Sequence, residues 1–229
     1  MVERREGNVS DSGASSEITK KPRLTGALRV KKTVCYTCDG PGDDRTIVSG
    51  DELMPVLPIA KLGNPVLRKI AARVDPRDIR TKEFQQLIDD MFETMLEEPG
   101  IGLAAPQVSR SIQLVVMGCE GEGGVPTTTL INPTIVYYGP QQVENWEGCL
   151  SVDGFRGKVT RPGVVRVQAL DRHGKSIDLE ADGLYAVCIQ HEMDNLIGKV
   201  FLDRMTDLST LTQLSEFEKF WRKEPTPVI

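Results

Sequence analysis

The residues best suited to chemistry in this chain lie together near position 190. His191 and Glu192 are adjacent, and Asn195 follows four residues after His191, so the imidazole and the amide share one face of a predicted helix. This spacing is close to the His-Glu-x-x-His pattern, in which two imidazoles hold a metal ion and the glutamate transfers protons. Asn195 stands where that pattern has its second histidine. The pattern therefore predicts a metal-dependent hydrolase site with one altered ligand.

Cys149 is the residue that best extends this metal site, because thiolate is a strong ligand for divalent transition metals. It lies between Gly148 and Leu150, after several predicted strands. If the sheet brings Cys149 beside the helix, the metal keeps an open coordination position for a water. Glu192 can then take a proton from this water as the water attacks a carbonyl. The side chain of Gln107 and the backbone N–H of Leu150 are candidates for stabilising the oxyanion.

The elements that must position these residues follow an α+β order. An apolar stripe predicts a helix from about Thr81 to Glu97, with Thr81 as its N-cap, and Gly198 is placed to end the helix that carries His191. Apolar residues at helical spacing predict a last helix at 211–220. Strands are predicted at 56–59, 112–117, 129–132, 134–138, 164–170 and 176–180. Because the strands and helices do not alternate along the chain, this order predicts an α+β fold.

Three segments, Gly100–Gln107, Glu147–Ser151 and Gln190–Asn195, resemble in order the signature motifs of the peptide deformylases. The likeness covers about residues 53–205. The resemblance implies antiparallel β-sheets around a central metal-binding helix. It also implies one divalent metal ion, Fe²⁺ in the first place with Zn²⁺ or Ni²⁺ as substitutes. The reaction it implies is removal of the N-formyl group from the initiator methionine of newly made polypeptides.

Asn195 is the departure from the family pattern, because the family has its second histidine ligand at this position. Cys149 and His191 match the other two metal ligands. An amide oxygen is a much weaker donor toward Zn²⁺ or Fe²⁺ than a neutral imidazole. Asn195 is therefore kept only as a doubtful third metal ligand. The resemblance predicts weaker metal binding than in a site with two histidines.

The remaining roles are also implied by the resemblance. Glu192 matches the general acid and base, while Gln107 and the backbone amide of Leu150 match the groups that polarise the formyl oxygen. The substrate peptide is expected to pair with the protein like an added strand. The residues expected to contact it are Ile101, Gly102, Glu147, Gly148 and Arg156.

Three functional hypotheses remain open at this stage. The first is a deformylase with a weakened metal site, in which Asn195 serves through its oxygen or a bridging water. The second is a catalytically silent deformylase-like protein that binds formylated or nascent peptides. The third is a metal-dependent hydrolase with a different acyl substrate. The presence of Glu192 and Gln107 favours the first hypothesis, whereas Asn195 favours the second.

Composition and charge narrow the class of protein. The 229 residues carry a formal charge of -5 at pH 7 and are 39% hydrophobic. No apolar run approaches the roughly 18 residues of a membrane-spanning helix. The net negative charge argues against direct nucleic-acid binding. The five cysteines form no even disulfide framework, so a reducing compartment is expected.

Residues 1–50 differ from the rest of the chain. They are rich in Ser, Gly, Lys and Arg without apolar periodicity, so we predict a disordered extension ahead of one deformylase-like domain at 51–229. An organelle-targeting segment is the alternative, although Glu3 and Glu6 are unusual in such peptides. We otherwise expect a cytoplasmic monomer that acts on N-formylmethionyl peptides. A ribosome contact would suit this substrate, and no membrane binding is expected.

Overall fold

The computed structural model describes residues 56–98, 100–119, 121 and 124–222. The two predictions for residues 1–50 lie outside these ranges. In chain order, the described helices and strands are α1 (Lys82–Glu97), β1 (Gly102–Ala104), β2 (Leu114–Cys119), β3 (Val125–Tyr138), β4 (Gln142–Cys149), β5 (Val152–Pro162), β6 (Val164–Leu170), β7 (Ser176–Asp182), α2 (Gly183–Leu196), β8 (Thr212–Gln213) and α3 (Leu214–Phe220). In these ranges, no helix is both long and apolar enough to cross a membrane.

Two antiparallel sheets surround helix α2. The larger sheet has the strand order β1-β2-β3-β6-β7, and the smaller sheet has the order β4-β5-β8. Helix α2 packs on the larger sheet and also contacts β5 of the smaller one. The predicted α+β fold, with antiparallel sheets around a central helix and a helix near the C-terminus, is confirmed.

Helix α1 forms where its N-cap and its apolar stripe predict it. The side chain of Thr81 accepts a hydrogen bond from the backbone N–H of Phe84 at 3.3 Å. The apolar face packs against β1 and β2. It buries Phe84, Ile88, Met91, Phe92 and Met95. Helix α1 thus supports the edge of the larger sheet, where β1 lies.

Helix α2 is buried although it carries several polar side chains. The polar residues that are at most 5% exposed are Gln190, His191, Glu192, Asp194 and Asn195. A buried polar group without a partner costs about 1–3 kcal/mol, so each of these side chains needs a neighbour that binds it. Gly198 follows the helix with φ of 76°, and a Cβ there would lie 2.7 Å from the backbone of Arg68. Glycine is therefore required just after α2, as the sequence predicted.

Two elements near the ends of the domain differ from the sequence prediction. The edge strand predicted at 56–59 is wrong, because the backbone there joins neither sheet. The backbone N–H of Leu57 instead donates to Thr94 Oγ1 at 2.9 Å. The helix predicted from residue 211 begins only at Leu214, because Thr212 and Gln213 pair with β5.

Strands β3 and β5 also differ from the prediction. The segments predicted as separate strands at 129–132 and 134–138 belong to one strand, β3, whose pairing register with β6 shifts beside Asn132. Strand β5 was not predicted, because it contains two glycines and four charged residues. Its alternation becomes visible only near its end, where the buried residues are Gly157, Val159 and Arg161.

Asn132 in β3 provides a prediction about stability. Its side chain accepts a hydrogen bond from the N–H of Val74 and donates one to the C=O of Val74, both at 2.8 Å, while its own φ is 53°. Asn132→Ala should lower the free energy of unfolding by about 2–4 kcal/mol. The substitution leaves the two buried backbone groups of Val74 unpaired, and alanine adopts a positive φ less readily than asparagine. Urea unfolding of the variant, beside Asn145→Ala on β4, measures the effect. A loss no larger than that of Asn145→Ala would contradict the prediction.

Candidate active site and metal centre

The three segments identified in the sequence meet at one pocket. The first provides β1 and the 3-10 turn that follows it, the second provides the end of β4, and the third lies on α2. The lining residues from these segments are Gly100, Ile101, Gly102, Gln107, Gly148, Cys149, Leu150, His191 and Glu192. The lining is completed by Glu98, Asp153, Gly154, Arg156 and Leu214. Most residues predicted to act together therefore face a single cavity.

Gln107 is held in place on the 3-10 turn after β1. Its Oε1 accepts a hydrogen bond from the backbone N–H of Ala104 at 2.7 Å, and its Nε2 donates to Cys149 Sγ at 3.5 Å. Its backbone carbonyl accepts the N–H of Ala60 at 2.7 Å. Because the oxygen of the side chain is engaged, the amide N–H group is the end that meets Cys149. This orientation suits a donor to a developing oxyanion.

Cys149 lies at the end of β4, where the chain turns into β5. It pairs with Val152 across the turn, which brings the backbone of Leu150 to the pocket. The preceding Gly148 leaves room for Arg156, because a Cβ at Gly148 would lie 2.1 Å from Arg156 Nη1. A larger residue at position 148 would therefore displace the arginine from the pocket wall beside Cys149.

His191 is oriented by a buried carboxylate. Its Nδ1 lies 2.9 Å from Glu147 Oε2, and Glu147 is fully buried. Burial raises the pKa of Glu147, but hydrogen bonds from His191 and Arg161 outweigh it and lower the pKa to about 2. Burial lowers the pKa of His191, while contacts with Cys149 and Glu147 outweigh it and raise the pKa well above its usual range. Since Glu147 engages Nδ1, Nε2 is the ring nitrogen left to bind a metal ion.

Asn195 contacts both groups expected to act in catalysis. Its Nδ2 donates to Glu192 Oε2 at 3.2 Å and to Gln107 Oε1 at 3.4 Å. Its Oδ1 is buried and has no hydrogen-bond partner in the part of the chain that the structure describes. Burial raises the pKa of Glu192, with the charge of His191 and the hydrogen bond from Asn195 opposing the rise. A carboxyl group with a raised pKa is suited to accept and return a proton near neutral pH.

The donor set can be tested against a divalent metal. Within residues 56–222 as described, no three His, Cys, Asp or Glu side chains form a metal-binding group. The third position belongs to an amide, and the unpaired buried Oδ1 of Asn195 is the kind of group that a cation would satisfy. Asn195 does not itself line the pocket, whereas Cys149 and His191 do. By chemical type, its amide oxygen would complete a sulfur, nitrogen and oxygen set with the Cys149 thiolate and the His191 imidazole. These residues therefore fit a transition-metal ion, with one weak donor.

Asp194 and His173 are two other residues that could replace the missing histidine. Asp194 is engaged elsewhere, since its carboxylate accepts hydrogen bonds from Arg161 and Arg204 at 2.9 Å each. His173 lies in the turn between β6 and β7, where its backbone N–H donates to Asp171 Oδ1. Like Asn195, neither of the two lines the pocket, but Asn195 contacts Glu192 and Gln107, which do.

The placement of the predicted substrate residues calls for one correction. Glu147 was expected to contact substrate, but its buried carboxylate lies against His191 and Arg161, and Glu147 does not line the pocket. We therefore reassign it to orienting His191. Arg161 was missed altogether. The alternation near the end of β5 was the available signal, since a buried arginine needs acidic partners.

Comparison with known proteins gives a consistent result over most of the chain. A family model described as polypeptide deformylase matches residues 56–210. The peptide deformylase of Saccharophagus degradans is 47% identical over 173 residues, which cover 74% of this chain and 96% of that protein. The peptide deformylase of Stutzerimonas stutzeri is 46% identical over 171 residues, which cover 75% of this chain and 99% of that protein.

Solved structures of similar proteins have the same fold. The Met-Ala-Ser-bound class I type b peptide deformylase from Acinetobacter baumannii has a TM-score of 0.64 and 34% identity, covering 67% of this chain and 100% of that chain. The actinonin-bound peptide deformylase from Synechococcus elongatus has a TM-score of 0.63 and 42% identity, covering 72% of this chain and 86% of that chain. The family match includes all three segments that form the pocket.

Proposed function

The chain belongs to the peptide deformylase family, whose members are metal-dependent hydrolases that remove the N-formyl group from new polypeptides, and we propose that its pocket carries out this reaction with an altered metal site. The observation that supports the proposal is the convergence of Cys149, His191, Glu192 and Gln107 on one cavity. These four residues come from three segments distant in sequence, yet all of them line the same pocket.

We propose that Cys149, His191 and the side-chain oxygen of Asn195 hold one divalent ion, Fe²⁺ in the first place, with Zn²⁺ or Ni²⁺ as substitutes. When bound, the ion would act as a Lewis acid and lower the pKa of water in the site. Thiolate and imidazole donors suit all three of these metals. The amide oxygen is the weak member of the set, so binding weaker than at a two-histidine site is expected.

Glu192 is proposed as the general base and acid. Its carboxylate takes a proton from the attacking water and returns it to the amine nitrogen as the formyl carbon–nitrogen bond breaks. The products are formate and a peptide with a free N-terminus. Gln107 Nε2 and the backbone N–H of Leu150 would donate to the formyl oxygen, because the Gln107 oxygen is already engaged by Ala104.

The peptide is proposed to bind along strand β1. This strand lies at the edge of the larger sheet, which is where an extended peptide would add as a further strand. Ile101 and Gly102 line the pocket on this side, while Gly148 and Arg156 line it on the other. A formylated N-terminus placed between them would reach Glu192.

We further propose that the protein acts as a monomer on N-formylmethionyl peptides in the cytoplasm, where such chains begin. Association with the ribosome is an extension of this proposal, motivated by the substrate. Sedimentation of the purified full chain gives the oligomeric state. Co-pelleting with ribosomes tests the association, and a chain that stays in the supernatant would count against it.

A catalytically silent, peptide-binding protein is the second candidate, and Asn195 is the observation that favours it. The deciding experiment measures formate release from formyl-Met-Ala-Ser by the full chain, reloaded anaerobically with Fe²⁺ or Ni²⁺, beside Glu192→Ala. Release by the parent that disappears in Glu192→Ala supports deformylation. Metal-loaded protein that binds the peptide without releasing formate supports the silent alternative. Release of acetate from the acetylated peptide, without formate release, would indicate a different acyl substrate.

A further inference from the structure

A chain of buried charged side chains runs behind the pocket. At its centre, Arg161 forms a two-point contact with Glu147, with Nε to Oε1 at 2.6 Å and Nη2 to Oε2 at 3.0 Å. The side chains of Arg161 and Glu147 are only 6% and 0% exposed. Planar guanidinium groups hold carboxylates in a defined orientation through such paired bonds. Arg161 therefore fixes the orientation of the Glu147 carboxylate that contacts His191.

The same guanidinium also holds the helix that carries the site. Arg161 Nη1 donates to Asp194 Oδ2 at 2.9 Å, and Asp194 lies on α2 between His191 and Asn195. Asp194 is in turn held by Arg204, whose Nε donates to Oδ2 at 2.9 Å and whose Nη2 contacts Oδ1. One buried arginine thus connects β4, β5 and α2 at the level of the metal-binding residues.

From this geometry, and resting on the proposed function, we infer that Arg161 is a positioning residue for metal binding and catalysis. It fixes the Glu147 carboxylate, which engages Nδ1 of His191 and leaves Nε2 for the metal ion. Through Asp194 it also sets the rotation of α2, and so the placement of Asn195. Arg161 does not line the pocket, so it acts only through these neighbours.

General energetics support a role beyond stability. Buried ion pairs are costly to desolvate, and apolar residues of similar volume often stabilise a core equally well. The charges of Arg204, Asp194, Arg161 and Glu147 alternate in sign, so the chain contains no uncompensated member. What an apolar replacement could not provide is orientation, because Arg161 holds both the carboxylate that contacts His191 and a carboxylate of α2 itself.

The test compares two arginine-to-lysine variants with matched chemistry. Arg161→Lys keeps the charge but loses the two-point contact with Glu147. Arg166→Lys is the control, because Arg166 makes the same kind of two-point contact with Asp178 at 2.7 and 3.0 Å on the exposed side of β6. Arg204→Lys provides a third variant. Arg204 is one contact further from His191 and less buried than Arg161, so this variant should fold.

Metal release is the main readout, measured as transfer of Co²⁺ to a chelator, together with the absorption spectrum of the Co²⁺-loaded protein. Arg161→Lys should release the ion about 10–100-fold faster than the parent and show a shifted spectrum, as expected when a partner of a metal ligand is lost. Its kcat should fall while KM for formyl-Met-Ala-Ser stays within a few-fold. Arg204→Lys should show the same changes at smaller amplitude, and Arg166→Lys should match the parent.

The inference would be overturned if Arg161→Lys and Arg166→Lys released the metal at the same rate. In that case Arg161→Lys would only lower the melting temperature of the metal-free protein. If Arg161→Lys does not fold, Arg204→Lys decides, and release equal to that of Arg166→Lys overturns it. Failure of the proposed function would be recognised separately. In that case the parent would bind Co²⁺ and the Arg161 variant would lose it faster, but no protein would release formate.

Discussion

Replacing Asn195 by histidine is expected to tighten binding of Fe²⁺ or Co²⁺ about 100-fold and to raise formate release with it. The present residue can offer only Oδ1, because its Nδ2 is engaged by Glu192 and Gln107. Loss of a partner of a metal ligand already costs about 10–100-fold in affinity, and changing a ligand itself should have at least this effect. The measurement is the dissociation constant in competition with a chelator, beside metal occupancy and formate release of both proteins at the same total metal concentration.

Asn195→Leu is the matched control for the oxygen donor, because it keeps a similar volume without any ligand atom. It should bind metal more weakly than the parent, and unchanged affinity would mean that the Asn195 oxygen contributes nothing. A second outcome separates binding from chemistry. If Asn195→His raises metal occupancy without raising formate release, another part of the site must also be defective, and the peptide-binding alternative gains support.

Substituting Gly102 by alanine is expected to lower kcat about 100-fold or more while metal affinity stays within a few-fold of the parent. A Cβ at this position would lie 2.6 Å from Glu192 Oε1 and 2.9 Å from Cys188 Sγ. Both neighbours lie on the buried helix α2, so the carboxylate of Glu192 has to move. Since a positioned general base contributes about 10²–10⁴-fold to a rate, displacing it should remove much of that factor.

Gly118→Ala on β2 is the control, because its added Cβ would lie 3.2 Å from Thr127 Oγ1, at a position outside the pocket lining. Metal affinity and kcat are measured on the same preparations of both variants. If Gly102→Ala retains the kcat of Gly118→Ala, the close approach of β1 to Glu192 is not needed for the reaction. A loss of metal in Gly102→Ala would indicate instead that α2 itself has shifted.

Several features of this protein follow from local sequence alone. Helix α1 was predictable, because Thr81 and the apolar stripe act through hydrogen bonds and packing that repeat every three to four residues. The hairpin of β6 and β7 was predictable from alternation and its turn. The identities of Cys149, His191 and Glu192 were predictable, because their motifs are short and contiguous. Strand β5 was not, since its glycines and charges hide the alternation of a buried face.

The sequence by itself therefore determined the family, the α+β class and the residues offered for chemistry, including the unusual Asn195. Only the tertiary structure decided how these residues are partnered. Glu147 meets His191 across 44 positions, and Arg161 meets Asp194 across 33. Periodicity shows which side chains point inward, but it does not show which inward side chain of another element lies opposite. That choice depends on how β4, β5 and α2 pack, and this packing turned Glu147 from an expected substrate contact into the group that orients His191.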